Sequence, residues 1–387
     1  MRAQRLIRRT FSLAGTLLIA AGVAAVPVAS AQATVRATPA GVLHGTGVLN
    51  DVVTISPRNV WAVGHSGMLN HPKTLIEHWN GTTWHRISVT PEAGWLNGVA
   101  ATSAHDVWAV GFSHAKPVIL HFGGTRWRRV ASPEVSGSRA FLGSVTALSP
   151  RNAWAVGGTI SKTLIEHWNG TTWRRVASPS PQGQELPWLG GVAAASANDV
   201  WAVGGLNKAL ILHWNGTRWR QVPSPVTVAM LNDVTAISAK NAWAVGADRR
   251  GTLVLHWNGV AWHRARSPAV RSGAGLIGIS GTSARNLWAV GASSDLIITS
   301  SQRAGVGVRT AGTAPISSSR SASRPLILHW NGTAWRRIRT PVPANGGQLI
   351  AVYTVSGRNA WAVGCTKNFG NPQAKPLALH WNGARWK

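Results

Sequence analysis

Asn152-Ala153-Trp154-Ala155-Val156-Gly157, and a few residues later Leu164-Ile165-Glu166-His167-Trp168-Asn169-Gly170-Thr171-Thr172-Trp173-Arg174-Arg175-Val176, spell one unit of a pattern that runs through the chain. Trp-Ala-Val-Gly starts at Trp61, Trp108, Trp154, Trp201, Trp243, Trp288 and Trp361. His-Trp-Asn-Gly starts at His78, His167, His213, His256, His329 and His380, and degrades to His121-Phe122-Gly123-Gly124 in the second copy. A further Trp follows at Trp84, Trp127, Trp173, Trp219, Trp262, Trp335 and Trp386. Each copy opens with a Leu-x-x-Val-like run ending in Ser, such as Leu49 to Ser56. Copying of one motif accounts for all but two, Trp95 and Trp188, of the 22 Trp in a chain with a single Tyr.

Each copy reads as four short strands, A to D, rich in β-branched and aromatic residues and bounded by turn residues. The C–D link is Asn-Gly in six copies, which reads as a tight hairpin with both turn residues at positive φ. A repeat of about 45 residues with four antiparallel strands is the signature of a propeller blade. The expectation is therefore an all-β, seven-bladed β-propeller of four-stranded antiparallel blades, preceded by a signal peptide. Period-2 alternation puts Trp and Val of Trp-Ala-Val-Gly on one blade face and Ala and Gly on the other. Neighbouring blades then interlock, bulky face to small face, and the repeated Trp, His and Asn-Gly residues are structural.

Residues 1–31 read as an export signal. Arg2, Arg5, Arg8 and Arg9 supply the charge, Leu13 to Val28 the apolar run, and Ala29-Ser30-Ala31 the cleavage site. Arg8-Arg9-Thr10-Phe11 resembles a twin-arginine signal. The domain reading is a signal at 1–31 and a propeller at 32–387, with a flexible insertion rich in Ser, Arg, Gly and Ala at 292–323 of blade six. Localisation is expected to be secreted or cell-surface associated, with no membrane span after cleavage. The last copy stops at Trp386-Lys387. Thr34 to Pro39 is expected to supply the missing outer strand and lock the ring.

Formal charge is +28, or +24 once the four arginines of residues 1–31 are set aside. Such a surface attracts polyanions. Many of the arginines fall on strand D, where charge blunts an exposed sheet edge. Cys365 is the only cysteine, so no intrachain disulfide and no cysteine-based zinc cluster can form.

Asn-x-Trp-Ala-Val-Gly followed by Trp-Asn-Gly-Thr-Thr-Trp, as at 79–84 and 168–173, resembles the secreted bacterial propellers of the Asp-box (BNR-type) and kelch-like groups. The resemblance implies the fold. Where an Asp-box carries an acidic turn residue this chain has Asn80, Asn169, Asn215, Asn258, Asn331 and Asn382, a departure that weighs against membership of the sialidase branch.

The spacing from the strand-A Ser to the strand-B Trp is constant, as is the C–D turn, whereas the B–C and D–A links vary. An antiparallel meander sends these two sets to opposite faces, and unlike loops on a rigid frame commonly bind. The candidate ligand-binding residues lie at that variable face. Trp95, Phe141 and Trp188 precede strand A in consecutive blades and are expected to form an arc at the channel mouth, suited to stacking on sugar rings. Packing between blades is the alternative. Asn50, Asp51, Asn97, Asn232 and Asp233 at the start of strand A are expected to face the channel and bond a ligand; ordinary hydration ranks above a Ca²⁺ site.

No catalytic, metal or cofactor set emerges. Galactose-oxidase-like chemistry needs more tyrosine than Tyr353. Glu77 and Glu166 occupy equivalent places in blades one and three, too far apart for a glycosidase pair that needs roughly 5–10 Å. The histidines lack triad partners. The resulting expectation is a monomeric, secreted, non-catalytic protein that binds cell-envelope or extracellular polysaccharide. The alternatives are a polysaccharide lyase or glycoside hydrolase with a channel-mouth site, and a protein-interaction scaffold.

Overall fold

The computed structural model describes residues 43–68, 71–89, 94–135, 139–181, 187–270, 273–293, 323–367 and 369–387. The signal and the proposed closing strand at 34–39 lie outside them, as does nearly all of the insertion; its first residues, Ala292 and Ser293, belong to strand B of blade six.

Seven antiparallel sheets follow in chain order, each a simple meander. In blade one, strand A is Val48–Ser56, strand B Asn59–Met68, strand C His71–Trp79 and strand D Trp84–Arg86. Six sheets have four strands. The seventh has three, Gly347–Ser356, Asn359–Thr366 and Pro376–Trp381. Its fourth position is taken by Trp386, which bridges Trp381, and by Lys387, which exchanges two backbone hydrogen bonds of 3.0 Å with His380. Further along the same edge, the Leu43 amide donates to the Pro376 carbonyl at 2.9 Å. Both ends of the described chain thus dress blade seven. Tyr353 of blade seven packs against both the core between blades seven and one and the core between blades one and two.

The bulky-against-small interlock is present at every junction. Trp61 and Val63 of blade one pack on Val107 and Ala109 of blade two. The seventh junction closes the ring, with Trp361 and Val363 packed on Val60 and Ala62. Each strand-B Trp also lies over the strand-C His of its own blade, ring centroids 4.1–4.5 Å apart. It meets the strand-D Trp of the next blade edge-on, as Trp61 does Trp127 at 5.4 Å and Trp361 does Trp84 at 5.3 Å. Half-buried under the strand-B Trp, His78, His167, His256 and His329 are held below the ordinary histidine range by desolvation, and His380 is pushed down to about 4 by desolvation and the Lys387 charge.

Strand A carries a bulge near its start, with a register shift between Leu49 and Asp51 and at the matching place in other blades. The bulge explains the Gly of Trp-Ala-Val-Gly. A Cβ at Gly64 would lie 1.9 Å from the Val48 carbonyl oxygen, which the bulge brings close. The C–D turn corrects the hairpin expectation. It is a four-residue loop in which only Gly takes positive φ, +102° at Gly81. The Asn80 side chain does the rest, its Oδ1 accepting the amides of Thr82 and Thr83 at 2.9 and 3.0 Å. Asn is favoured there for its side-chain oxygen, not for a left-handed backbone.

A two-residue turn with both φ values positive occurs instead between strands B and C of blade two, at His114 (+50°) and Ala115 (+61°). Neither residue suits that region. Ala115→Gly is expected to raise stability by about 1 kcal/mol, measured as a higher urea midpoint at unchanged slope.

Candidate functional site at the variable-loop face

The structure brings Trp95, Phe141 and Trp188 together as an arc, and it buries them: they are 0%, 5% and 3% exposed. Phe112, the cross-strand partner of Trp95, fills the gap, stacking on Trp95 at 5.6 Å and meeting Phe141 edge-on at 6.5 Å. Phe141 meets Trp188 at 6.3 Å. On the other side Trp95 stacks on His65 at 3.6 Å. Phe369, from the B–C loop of blade seven, reaches both rings, 5.8 Å from Trp95 and 5.7 Å from His65. It also packs against Val48, Ile277, Ile350, Cys365 and Ala374. These side chains come from blades six, seven, one, two, three and four. The rings therefore face one another and form an apolar plug across this end of the ring, instead of standing open for stacking on a sugar.

The polar candidates are likewise engaged between blades. Asn50 sits in the bulge, and its Nδ2 donates to the Leu96 carbonyl of blade two at 2.7 Å. Asn97 does the same to Leu142 at 2.8 Å, and Asn232 to Leu276 at 2.8 Å. Asp51 accepts the amides of Val52 and, in blade two, Val99, both at 2.8 Å. Asp233 accepts those of Val234 and, in blade six, Ile279. These five side chains fasten neighbouring blades. Turning any of these side chains to a ligand would break its bond between blades.

Phe112, His65 and Phe369 were not singled out by the repeat. Phe112 and His65 follow the motif Gly directly, where the copies differ, and a comparison of that position would have found them. Phe369 lies in a loop with no counterpart elsewhere in the chain. Beside the plug a cleft of about 280 Å³ is lined by Thr46, Gly47, His65, Gly370, Asn371 and Pro372.

The carboxylates weighed as catalytic are also engaged. Glu77 accepts a 2.9 Å hydrogen bond from Arg86 across strands C and D; burial nonetheless raises its pKa against the pull of that guanidinium. Glu166 is fully buried and accepts from Ser132 at 2.8 Å. Burial pushes it up to about 7, against the Ser132 bond and the Arg175 charge. Asp106 and Asp199 bond His121 and His213, each at 2.7 Å. Tyr353 is raised by burial and by Asp51 nearby. Among the described residues no group of three His, Cys, Asp or Glu side chains could hold a metal ion. No helix among them is long and apolar enough to cross a membrane.

The molecule is thus a seven-bladed β-propeller with one loop-bearing face sealed by aromatic packing. No family model and no curated protein matches the sequence. Solved structures do match in fold. YCF48 bound to a D1 peptide superposes with a TM-score of 0.56 at 15% identity, covering 88% of this chain and 93% of that one. The WD40 propeller domain of Doa1 gives 0.55 at 12%, covering 88% and 95%. A catalytically inactive variant of virginiamycin B lyase from Staphylococcus aureus with quinupristin gives 0.59 at 10%, covering 88% and 98%. Identities this low carry the architecture alone.

Proposed function

We propose that this chain is an exported, non-catalytic interaction scaffold whose variable-loop face holds an acidic protein partner. The plug carries this reading. With Trp95, Phe112, Phe141, Trp188 and Phe369 packed together, the centre of that face offers a broad surface ringed by unlike loops. A surface of that kind suits a macromolecule better than a sugar ring or a small substrate. Charge supplies the preference for an acidic partner. Of the Asp and Glu in the described residues, Glu134 alone is exposed, while Lys116, Lys162, Lys208 and Arg324 stand exposed beside the loops. Fold neighbours that include a propeller bound to a peptide are in keeping with such a role. The export part of the reading rests on residues 2–31.

The test offers residues 32–387 to purified envelope polysaccharides and to secreted proteins captured by cross-linking in living cells. The expected result is one acidic protein that rebinds in purified form at about 0.15 M salt and weakens at about 0.5 M. The variant Lys116→Gln, Lys162→Gln, Lys208→Gln, Arg324→Gln should weaken that binding at least tenfold. Polysaccharide binding that persists at the higher salt, with no protein rebinding, would overturn the proposal in favour of a lectin.

A further inference from the structure

The opposite face carries a pattern of its own. The A–B turns emerge there, and the second residue of each is Arg58, His105, Arg151, Asn198, Lys240, Arg285 and Arg358 in blades one to seven. The backbone of this residue is held by the last Ser of strand A. Ser56 Oγ accepts the Arg58 amide at 3.3 Å, and Ser149, Ser283 and Ser356 serve Arg151, Arg285 and Arg358 alike. The stem of the side chain rests on the C–D turn of the same blade. A Cβ added at Gly81, Gly170, Gly332 or Gly383 would strike the Cβ or Cγ of the matching arginine at 2.7–3.0 Å. These cations are therefore mounted in place, and less side-chain freedom is lost on binding.

Blades two and four break the pattern, with His105 and Asn198. They are also the blades in which Asp106 and Asp199 stand next in sequence, where other blades have Asn. In those two blades an arginine appears instead on the C–D turn, Arg126 and Arg218, at a position that is Thr or Ala in blades one, three, five and six. Both turns open on this one face. Every blade thus presents an exposed Arg or Lys there, with Arg385 adding a second in blade seven. A merely arginine-rich composition has no reason to restore a missing charge from a different turn. Among the described residues no exposed acid lies on this face: Asp106 and Asp199 are buried against His121 and His213. Half-buried indoles of strand C lie beside the cations: Trp79 and Trp168 donate to the carbonyls of Pro57 and Pro150, the residues just before Arg58 and Arg151.

We infer that this uniform face is a second binding surface, for a flexible phosphodiester chain of the polyol-phosphate kind. It is independent of the protein-binding reading. Seven spaced cations in a ring suit a ligand whose charges recur along a flexible backbone. Arginine dominates, and its planar fork matches phosphate oxygens. The indoles beside the cations give apolar contact for the carbon skeleton between phosphates.

The probe is a fluorescent poly(glycerol phosphate) of about 20 units, titrated with residues 32–387 across salt concentrations. Neutralisation of released counterions predicts a steep linear fall of log K with log salt, of about 0.7 per phosphate engaged. The ring variant Arg58→Gln, Arg151→Gln, Arg285→Gln, Arg358→Gln should cut affinity at least 30-fold at about 0.15 M salt and flatten the slope by two or more. The opposite-face variant Lys116→Gln, Lys162→Gln, Lys208→Gln, Arg324→Gln removes the same net charge and should change affinity less than threefold. Unchanged melting temperatures confirm that both variants fold. Equal losses in the two variants would reduce the effect to overall charge and overturn the proposal, as would tighter binding of poly-glutamate or oligothymidylate than of the polyol phosphate. Because the two variants act on opposite faces, failure here leaves the protein partner untouched, and the reverse holds.

Discussion

Removing Trp386 and Lys387 is expected to cost about 3–5 kcal/mol of stability, the range for emptying a large buried aromatic site. Trp386 is 3% exposed and stands edge-on to Trp288 of blade six at 5.2 Å. It also bridges Trp381, while Lys387 makes both backbone bonds to His380. Without these two residues the outer edge of blade seven loses its fourth position, and the junction with blade six loses its wedge. A urea melt reads the effect as a lower midpoint. Deleting Lys387 alone should cost a small part of it, since the indole stays. A loss below about 1 kcal/mol for the double deletion, less than a single core truncation, would mean that blade seven does not depend on the C-terminus.

Glu166→Gln is expected to stabilise the protein at pH 8 and to do little at pH 5. The carboxyl is fully buried, and its Oε2 has no hydrogen-bond partner among the described residues. Its pKa is raised to about 7 from an ordinary 4.5. Below the ordinary value both folded and unfolded chains hold the proton. Between the two values the unfolded chain releases it while the folded one keeps it, so stability falls as pH rises. Above about 7 the folded state carries a buried charge, at a total cost of roughly 3 kcal/mol by the usual conversion. An amide keeps the Ser132 contact and has no charge to bury. Melts of both proteins from pH 4.5 to 8.5 should therefore diverge as pH rises. Parallel curves would show that Glu166 titrates as an exposed acid does. Glu77, at the equivalent place, is raised by burial in the same direction, but the Arg86 guanidinium bonded to it opposes the shift.

The seven copies and their four strands were legible because the same residues recur in phase, and the Trp-Ala-Val-Gly alternation even foretold which face of a blade meets which. What escaped was whatever depends on a departure from regular pleating. The strand-A bulge leaves no mark in the alternation of Leu49 to Ser56. Yet it directs the Nδ2 of Asn50, Asn97 and Asn232 to carbonyls of the next blade, and it forces Gly64. The Asn-Gly dipeptide suggested a two-residue hairpin, but the four-residue loop lets Asn80 act through its side chain. Trp95, Phe141 and Trp188 were found and correctly grouped at one mouth. Their burial was not legible, because the rings that pack on them include Phe112 and His65, at a position where the copies differ, and Phe369, from a loop of blade seven that no repeat describes. The cation ring was hidden for a related reason, since two of its members sit on a different turn from the other five.

The closing junction joins residues at opposite ends of the chain, Trp361 to Trp79 and Trp84. Until the last repeat is made, the blade-one side of that junction has nothing to pack against, and its indoles and Ala62 stay in water. Contacts so distant in sequence form late. An unfinished chain is thus an open arc with two sticky ends, prone to pairing with another such arc. Closure of the ring thus waits on synthesis of the seventh blade, and a product that stops short of it would remain adhesive wherever it is released.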